Sequence, residues 1–174
     1  MGPLAVRRYG DPVLRRKAEP VNALTPEIQQ LIDQLVETMY HDLGIGLAAP
    51  QVGVSLRLIV VDAEQGKGPM ALVNPVITER RGQVTGEEGC LSLPGIFGEV
   101  VRAEWVNVTA QDRDGRALAF GARGLLARVI QHEIDHLDGV LFIDHLDKAE
   151  RDRIKRKIKK EGLPEEAPHN ALAL

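Results

Sequence analysis

The sequence predicts an α+β fold in which mixed or antiparallel β-sheets pack around a central helix, with one further helix near each end. Three observations predict it. Strand-like segments are grouped in the middle of the chain rather than alternating with helices, which disfavours a doubly wound sheet. An amphipathic stripe precedes them, and a second helical pattern, carrying two histidines, follows them.

The first helix spans residues 26–41. Thr25-Pro26 supplies a capping hydroxyl followed by a proline at the first helical position. Ile28, Leu31, Ile32, Leu35, Val36 and Met39 then form one apolar face. Gly44, Gly46, Pro50 and Gly53 break the pattern and predict a loop. Residues 56–62, 70–78 and 105–111 are rich in Val, Ile and Thr and are expected to be strands. Asp112-Arg113-Asp114-Gly115 is expected to turn the chain into a hairpin partner over residues 116–120. Leu125, Leu126, Val129, Ile130, Ile134 and Leu137 recur at three- and four-residue spacing, so His132 and His136 fall on a helix that Gly139 ends. A charged helix over residues 147–160 follows, and residues 163–174 are expected to be a flexible tail.

Composition bounds what such a chain can be. At 174 residues it suits a single domain. Apolar residues make up 44% and charged residues 27%, which excludes pervasive disorder. Aromatics are only 3%, so Leu, Ile, Val and Ala must build the core. The first eight residues contain no apolar signal core, and no run reaches the roughly 18 apolar residues of a membrane span. A lone cysteine cannot form an internal disulfide. A cytoplasmic protein with no membrane partner is expected.

Residues 132–136 read His-Glu-Ile-Asp-His. On a helix, positions i and i+4 share a face about 6 Å apart, so His132 and His136 can ligate one ion. Glu133 lies about 100° round the helix, within reach of a water at that ion without being a ligand. A catalytic site of this kind needs a third protein ligand and an open position. Downstream candidates are Asp144, His145, Glu150 and His169; upstream, Cys90 offers a soft thiolate. The competing reading of Cys90 is a small buried hydrophobe. Residues 44–49 match a dinucleotide-binding glycine pattern, but they follow a helix rather than a strand, and Pro50 interrupts the helix that should come next. The alternative is that these glycines let backbone approach an extended substrate while Gln51 offers an amide donor to an oxyanion. A metallopeptidase with this histidine helix and a binding protein whose metal merely staples the fold both remain open at this point.

Three segments together, Gly44-Ile45-Gly46-Leu47-Ala48-Ala49-Pro50-Gln51, Glu88-Gly89-Cys90-Leu91-Ser92 and Gln131-His132-Glu133-Ile134-Asp135-His136, resemble the three signature motifs of the peptide deformylase family, in family order. The resemblance covers about residues 5–160. It implies a single catalytic domain over residues 1–174 that removes the formyl group from N-formylmethionyl nascent peptides, releasing formate. It implies a metal held by Cys90, His132 and His136 with a water as fourth ligand: Fe²⁺ natively, with Zn²⁺, Ni²⁺ or Co²⁺ as other occupants. Glu133 is then the general base and later acid, and the Gln51 side-chain amide and the Leu91 backbone N–H form the oxyanion site. The peptide is expected to lie beside Ile45, Gly46 and Gly89, with Leu125, Val129 and His132 lining the pocket for the first side chain. The chain departs from the family pattern in two places. Residues 93–98 are apolar and glycine-rich where many members carry an arginine-containing segment, and Arg128 replaces an apolar pocket neighbour, so it is expected to face solvent.

Residues 147–160 hold eight Lys or Arg against three Asp or Glu, a local +5 that leaves −8 on the rest of a chain totalling −3. A solvated helix face is the ordinary explanation. By resemblance, docking of this helix on the ribosome near the exit of the nascent chain is the second.

Overall fold

The computed structural model describes residues 2–64, 66–165 and 174. Among these residues, seven strands are arranged in two sheets, and all the pairings between them are antiparallel. β1 (Gly46–Ala48), β2 (Leu58–Val61), β3 (Met70–Arg81), β6 (Trp105–Gln111) and β7 (Ala117–Arg123) form one sheet in that spatial order. β4 (Val84–Cys90) and β5 (Leu93–Arg102) form a separate two-stranded hairpin. The helices are α1 (Pro26–His41), α2 (Gly124–Leu137) and α3 (Lys148–Glu161). Among the described residues, no helix is long and apolar enough to cross a membrane.

The large sheet is buried on both faces where it matters, and strand alternation decides which helix each residue meets. Leu58 and Val60 of β2 join Ile32, Leu35 and Met39 of α1 in one cluster. Their neighbours Ile59 and Val61 join Leu126, Val129, Ile130 and Ile134 of α2 in another. The strand therefore reads as a continuous apolar run rather than an alternating one.

Each helix starts and stops for a local reason. The Thr25 hydroxyl accepts the Ile28 N–H at 3.3 Å, with Pro26 at the first position. The Asp147 carboxylate caps α3 by accepting the Glu150 N–H at 2.8 Å. α2 ends at Gly139, whose φ of 74° is the left-handed conformation that closes a helix. The expected turn is present: Asp112 and Arg116 close it by a backbone bond, and Gly115 sits at φ 84°.

The β4–β5 hairpin departs from the sequence reading. Residues 93–98, apolar and glycine-rich and not expected to be a strand, lie in β5. The hairpin packs Leu93, Ile96 and Val100 against Phe142, Ile143, Leu146 and Ile154 in a third cluster that also holds Cys90. The two-residue loop Leu91-Ser92 joins Cys90 directly to its partner Leu93, while Gly89 pairs with Phe97. That step in register places Cys90 at the tip of the hairpin, over α2.

Candidate metal centre

α2 supplies two imidazoles and the hairpin tip supplies the thiol. Ligand atoms of Cys90, His132 and His136 all lie within 4.8 Å of one another, and all three residues are buried. Cys90 Sγ is 3.4 Å from His136 Nε2, and the two histidine rings meet edge-on with centroids 5.1 Å apart. His132 Nδ1 is bonded to Glu88 Oε1 at 2.8 Å, which leaves Nε2 as the free lone pair, and its ring stacks on Phe142. His132 Nε2, His136 Nδ1 and both oxygens of Glu133 are buried without a hydrogen-bond partner among the described residues. Buried polar atoms are ordinarily satisfied, so this concentration of orphans beside a thiol fits a site built for a dication and the groups it gathers.

Burial dominates the protonation states of the metal-free site. It pushes the Cys90 thiol up, aided by the charge of Glu133. It also pushes the Glu133 carboxyl well above the ordinary carboxylate range, aided by Glu88. His136 is held well below the usual imidazole value, first by burial and then by His132. Burial thus favours the neutral form of thiol, carboxyl and imidazole alike, and a thiolate ligand forms only with loss of its proton.

Glu88 is the exception among these buried acids. Burial alone would raise its carboxyl, but hydrogen bonds from Arg102 and His132 outweigh burial and hold it well below the ordinary range. Arg102 donates through Nε to Oε2 at 2.8 Å and through Nη2 to Oε1 at 2.9 Å. Its Nη1 also reaches Asp135, which in turn contacts His145. Arg128, expected to face solvent, is instead only 7% exposed and donates to Glu88 Oε2 at 2.7 Å. That expectation is overturned because a buried carboxylate is present to receive the guanidinium. Glu88 appeared in the sequence only as part of a motif, and Arg102 not at all. The available signal was spacing: Glu88 and Cys90 are two apart, so on a strand they share a face.

Gln51 is fully buried and fixed at both ends. Its Oε1 accepts the Ala48 N–H at 3.0 Å, while its Nε2 donates to Ser92 Oγ at 3.1 Å and faces Cys90 Sγ at 3.6 Å. The N-terminal segment braces these groups from behind: the Arg7 N–H bonds the Gln51 carbonyl at 2.6 Å and the Tyr9 N–H bonds that of Ser92 at 2.8 Å. Gly46 lies against the carboxylate of Glu133 and the side chain of Val129. Leu91 is buried in the hairpin loop beside Gly44. Gly89 is buried, and its carbonyl accepts the N–H of Leu174 at 3.3 Å. Ile45 is half-buried, Val129 fully buried and Leu125 42% exposed, so the pocket candidates run from core to rim.

Comparison with known proteins gives a consistent set of relatives. The family model described as polypeptide deformylase matches residues 3–152. The peptide deformylase of Halothermothrix orenii is 55% identical over 141 residues, covering 81% of this chain and 92% of that protein. That of Thermodesulfovibrio yellowstonii is 49% identical over 162 residues, covering 91% and 98%. Among solved structures, the peptide deformylase of Legionella pneumophila superposes with a TM-score of 0.86 at 44% identity, covering 91% of this chain and 95% of the other. The enzyme of Synechococcus elongatus, in complex with actinonin, gives 0.85 at 43% identity, covering 95% and 89%.

Proposed function

The chain belongs to the peptide deformylase family, and from that membership we propose how its own residues carry the reaction. It is a metal-dependent hydrolase that removes the formyl group from the N-terminal formylmethionine of nascent polypeptides and releases formate. The observation that carries the residue assignment is the convergence of Cys90, His132 and His136 on a buried space flanked by Glu133, whose oxygens make no hydrogen bond among the described residues.

Cys90, His132 and His136 hold the ion, with Fe²⁺ as the native metal. A dication there would polarise the formyl carbonyl, an otherwise poor electrophile, and lower the pKa of the attacking water. Glu133, buried and without a competing partner, accepts the proton of the water that attacks the formyl carbon. The raised pKa of its carboxyl suits it to hold that proton and return it to the leaving amine. The developing oxyanion takes hydrogen bonds from Gln51 Nε2 and the Leu91 N–H. The clamp of Ala48 on Gln51 Oε1 supports this role, because it presents the NH₂ end toward the thiol side of the site without reorganisation.

The peptide runs beside Ile45, Gly46 and Gly89 on main-chain hydrogen bonds, with Leu125 and Val129 beside its first side chain. The bond from Leu174 to the Gly89 carbonyl supports this reading, since it is a main-chain contact of the kind an extended peptide makes. Residues 1–174 act as one catalytic domain in the cytoplasm, with the basic face of α3 contacting the ribosome where chains emerge.

The test is formate release from a formyl-Met peptide by iron-loaded protein kept free of oxygen. Wild type is expected to turn over, and Glu133→Ala to lose about 10²–10⁴-fold in kcat while still binding metal. No formate from wild type, or full activity in Glu133→Ala, contradicts the assignment.

A further inference from the structure

We propose that Arg128 is a positioning residue for the metal centre, acting through Glu88 on His132. The inference rests on the reading of Cys90, His132 and His136 as the ligand set. Arg128 lies one helical turn before His132 on α2, so both side chains leave the same face of that helix. Its Nη1 donates to Glu88 Oε2 at 2.7 Å, and the other oxygen of Glu88 is bonded to His132 Nδ1 at 2.8 Å. The three side chains therefore form a closed path that leaves α2, passes through one carboxylate on β4 and returns to α2.

Arg102 holds the same carboxylate differently. Its fork grips both Glu88 oxygens, but it does so from β5, the strand paired with the one that carries Glu88. Its own tie to α2 is indirect, through Nη1 to Asp135 at 2.6 Å, one ion pair removed from the carboxylate. Arg128 adds a direct tie, beside that of His132 itself, between the carboxylate and the helix that bears the ligands.

The same guanidinium also fixes the hairpin itself. Nη1 donates to the Val100 carbonyl at 3.0 Å and Nη2 to the Val84 carbonyl at 2.9 Å, one on each strand. Since Cys90 is at the tip of that hairpin, Arg128 touches the supports of the thiol and of one imidazole at once. Room for it is made by Gly86: a Cβ there would come within 3.1 Å of the guanidinium carbon and of Nη2. A planar group with several fixed donors is needed for three acceptors in different directions, and a lysine ammonium would not match it.

The test compares metal affinity, by chelator competition with Zn²⁺ and by the ligand-field spectrum of the Co²⁺ form, across full-length variants. Arg128→Met is expected to retain a cooperative thermal transition, to bind metal about 10–100-fold more weakly and to show an altered Co²⁺ spectrum, the usual size of an effect on a ligand's hydrogen-bond partner. Arg128→Lys should recover part of the loss. Glu88→Gln should also weaken binding, and adding Arg128→Met to it should cost little more. Wild-type affinity and spectrum in Arg128→Met overturn the proposal. So do fully additive losses in the double variant, which would make Arg128 a hairpin brace independent of Glu88. If Arg128→Met does not fold, Arg128→Gln, which keeps a donor for the strand carbonyls, takes its place with the same two readings. Metal binding unaffected by Cys90→Ser and His132→Ala would instead overturn the ligand set itself, so the two failures are distinguishable.

Discussion

Gly46 sets how closely the backbone of β1 approaches Glu133, the proposed base. A Cβ at that position would sit 2.5 Å from Glu133 Oε2 and 2.7 Å from Val129 Cγ1. Neither separation is tolerable, so both side chains must give way. Val129 is fully buried in the cluster between α2 and the sheet, whereas the Glu133 carboxylate has no hydrogen bond to hold it. The carboxylate is therefore the group that moves further. Gly46→Ala is expected to lower kcat about 10²-fold, the scale associated with misplacing a reacting group by about an ångström, while metal content stays at one ion per chain. Formate release measured beside metal analysis checks both halves. A variant with wild-type kcat would mean that the base is not held against Gly46 during the reaction.

At the scale of elements, legibility follows from where the burial of each segment is compensated. α1 could be read to the residue because its cap and its apolar stripe are both local. The histidine helix was legible for the same reason, although its true start at Gly124 was not marked by any side-chain cap. β4 was not legible. Its inward positions near the tip hold Glu88 and Cys90 rather than Val or Ile, so no apolar alternation exists to be counted. What makes Glu88 tolerable there is Arg102 on the neighbouring strand and Arg128 on α2, 40 positions away in sequence. In β5, Pro94, Gly95 and Gly98 disguise the strand, because the register step opposite Gly89 and Cys90 calls for an irregular backbone. Arg128 was misjudged for a related reason. An arginine on a helix reads as solvated unless its partner is known, and the residue that makes space for it, Gly86, carries no sign of doing so. The proposed ligands and base were thus visible as residue types at fixed spacing, while the network around them depends on contacts no local pattern encodes.

At the scale of the molecule, the C-terminal region meets the site in one place and solvent in another. Leu174 is fully buried in the cluster that includes Leu126 and Val129, and its N–H occupies the carbonyl of Gly89. A substrate that needs the same carbonyl must displace it. Leu174→Asp, which disfavours seating in an apolar pocket, is therefore expected to lower KM for a formyl-Met peptide with kcat unchanged. If Leu174 is seated in about nine molecules of ten, the change is about tenfold, because apparent affinity scales with the competent fraction. An unchanged KM would place Leu174 outside the peptide's path. α3 lies at the other side of this region. It buries Ile154 against Phe142 and Leu146 and so turns its charge outward. Lys148 and Arg153 pair with acids on the same helix, whereas Lys155, Arg156, Lys157, Lys159 and Lys160 are exposed and make no ion pair among the described residues. Five unspent cations on one helix of an otherwise acidic chain are suited to phosphate rather than to folding. Replacing Lys155, Lys157, Lys159 and Lys160 by Glu is expected to leave formate release from a short peptide unchanged and to abolish co-sedimentation with ribosomes. Wild-type association should fall steeply with added salt as counterions compete for the same phosphates. Association that neither salt nor the four substitutions weakens would remove α3 from the ribosome contact and leave its charge as a solvated face.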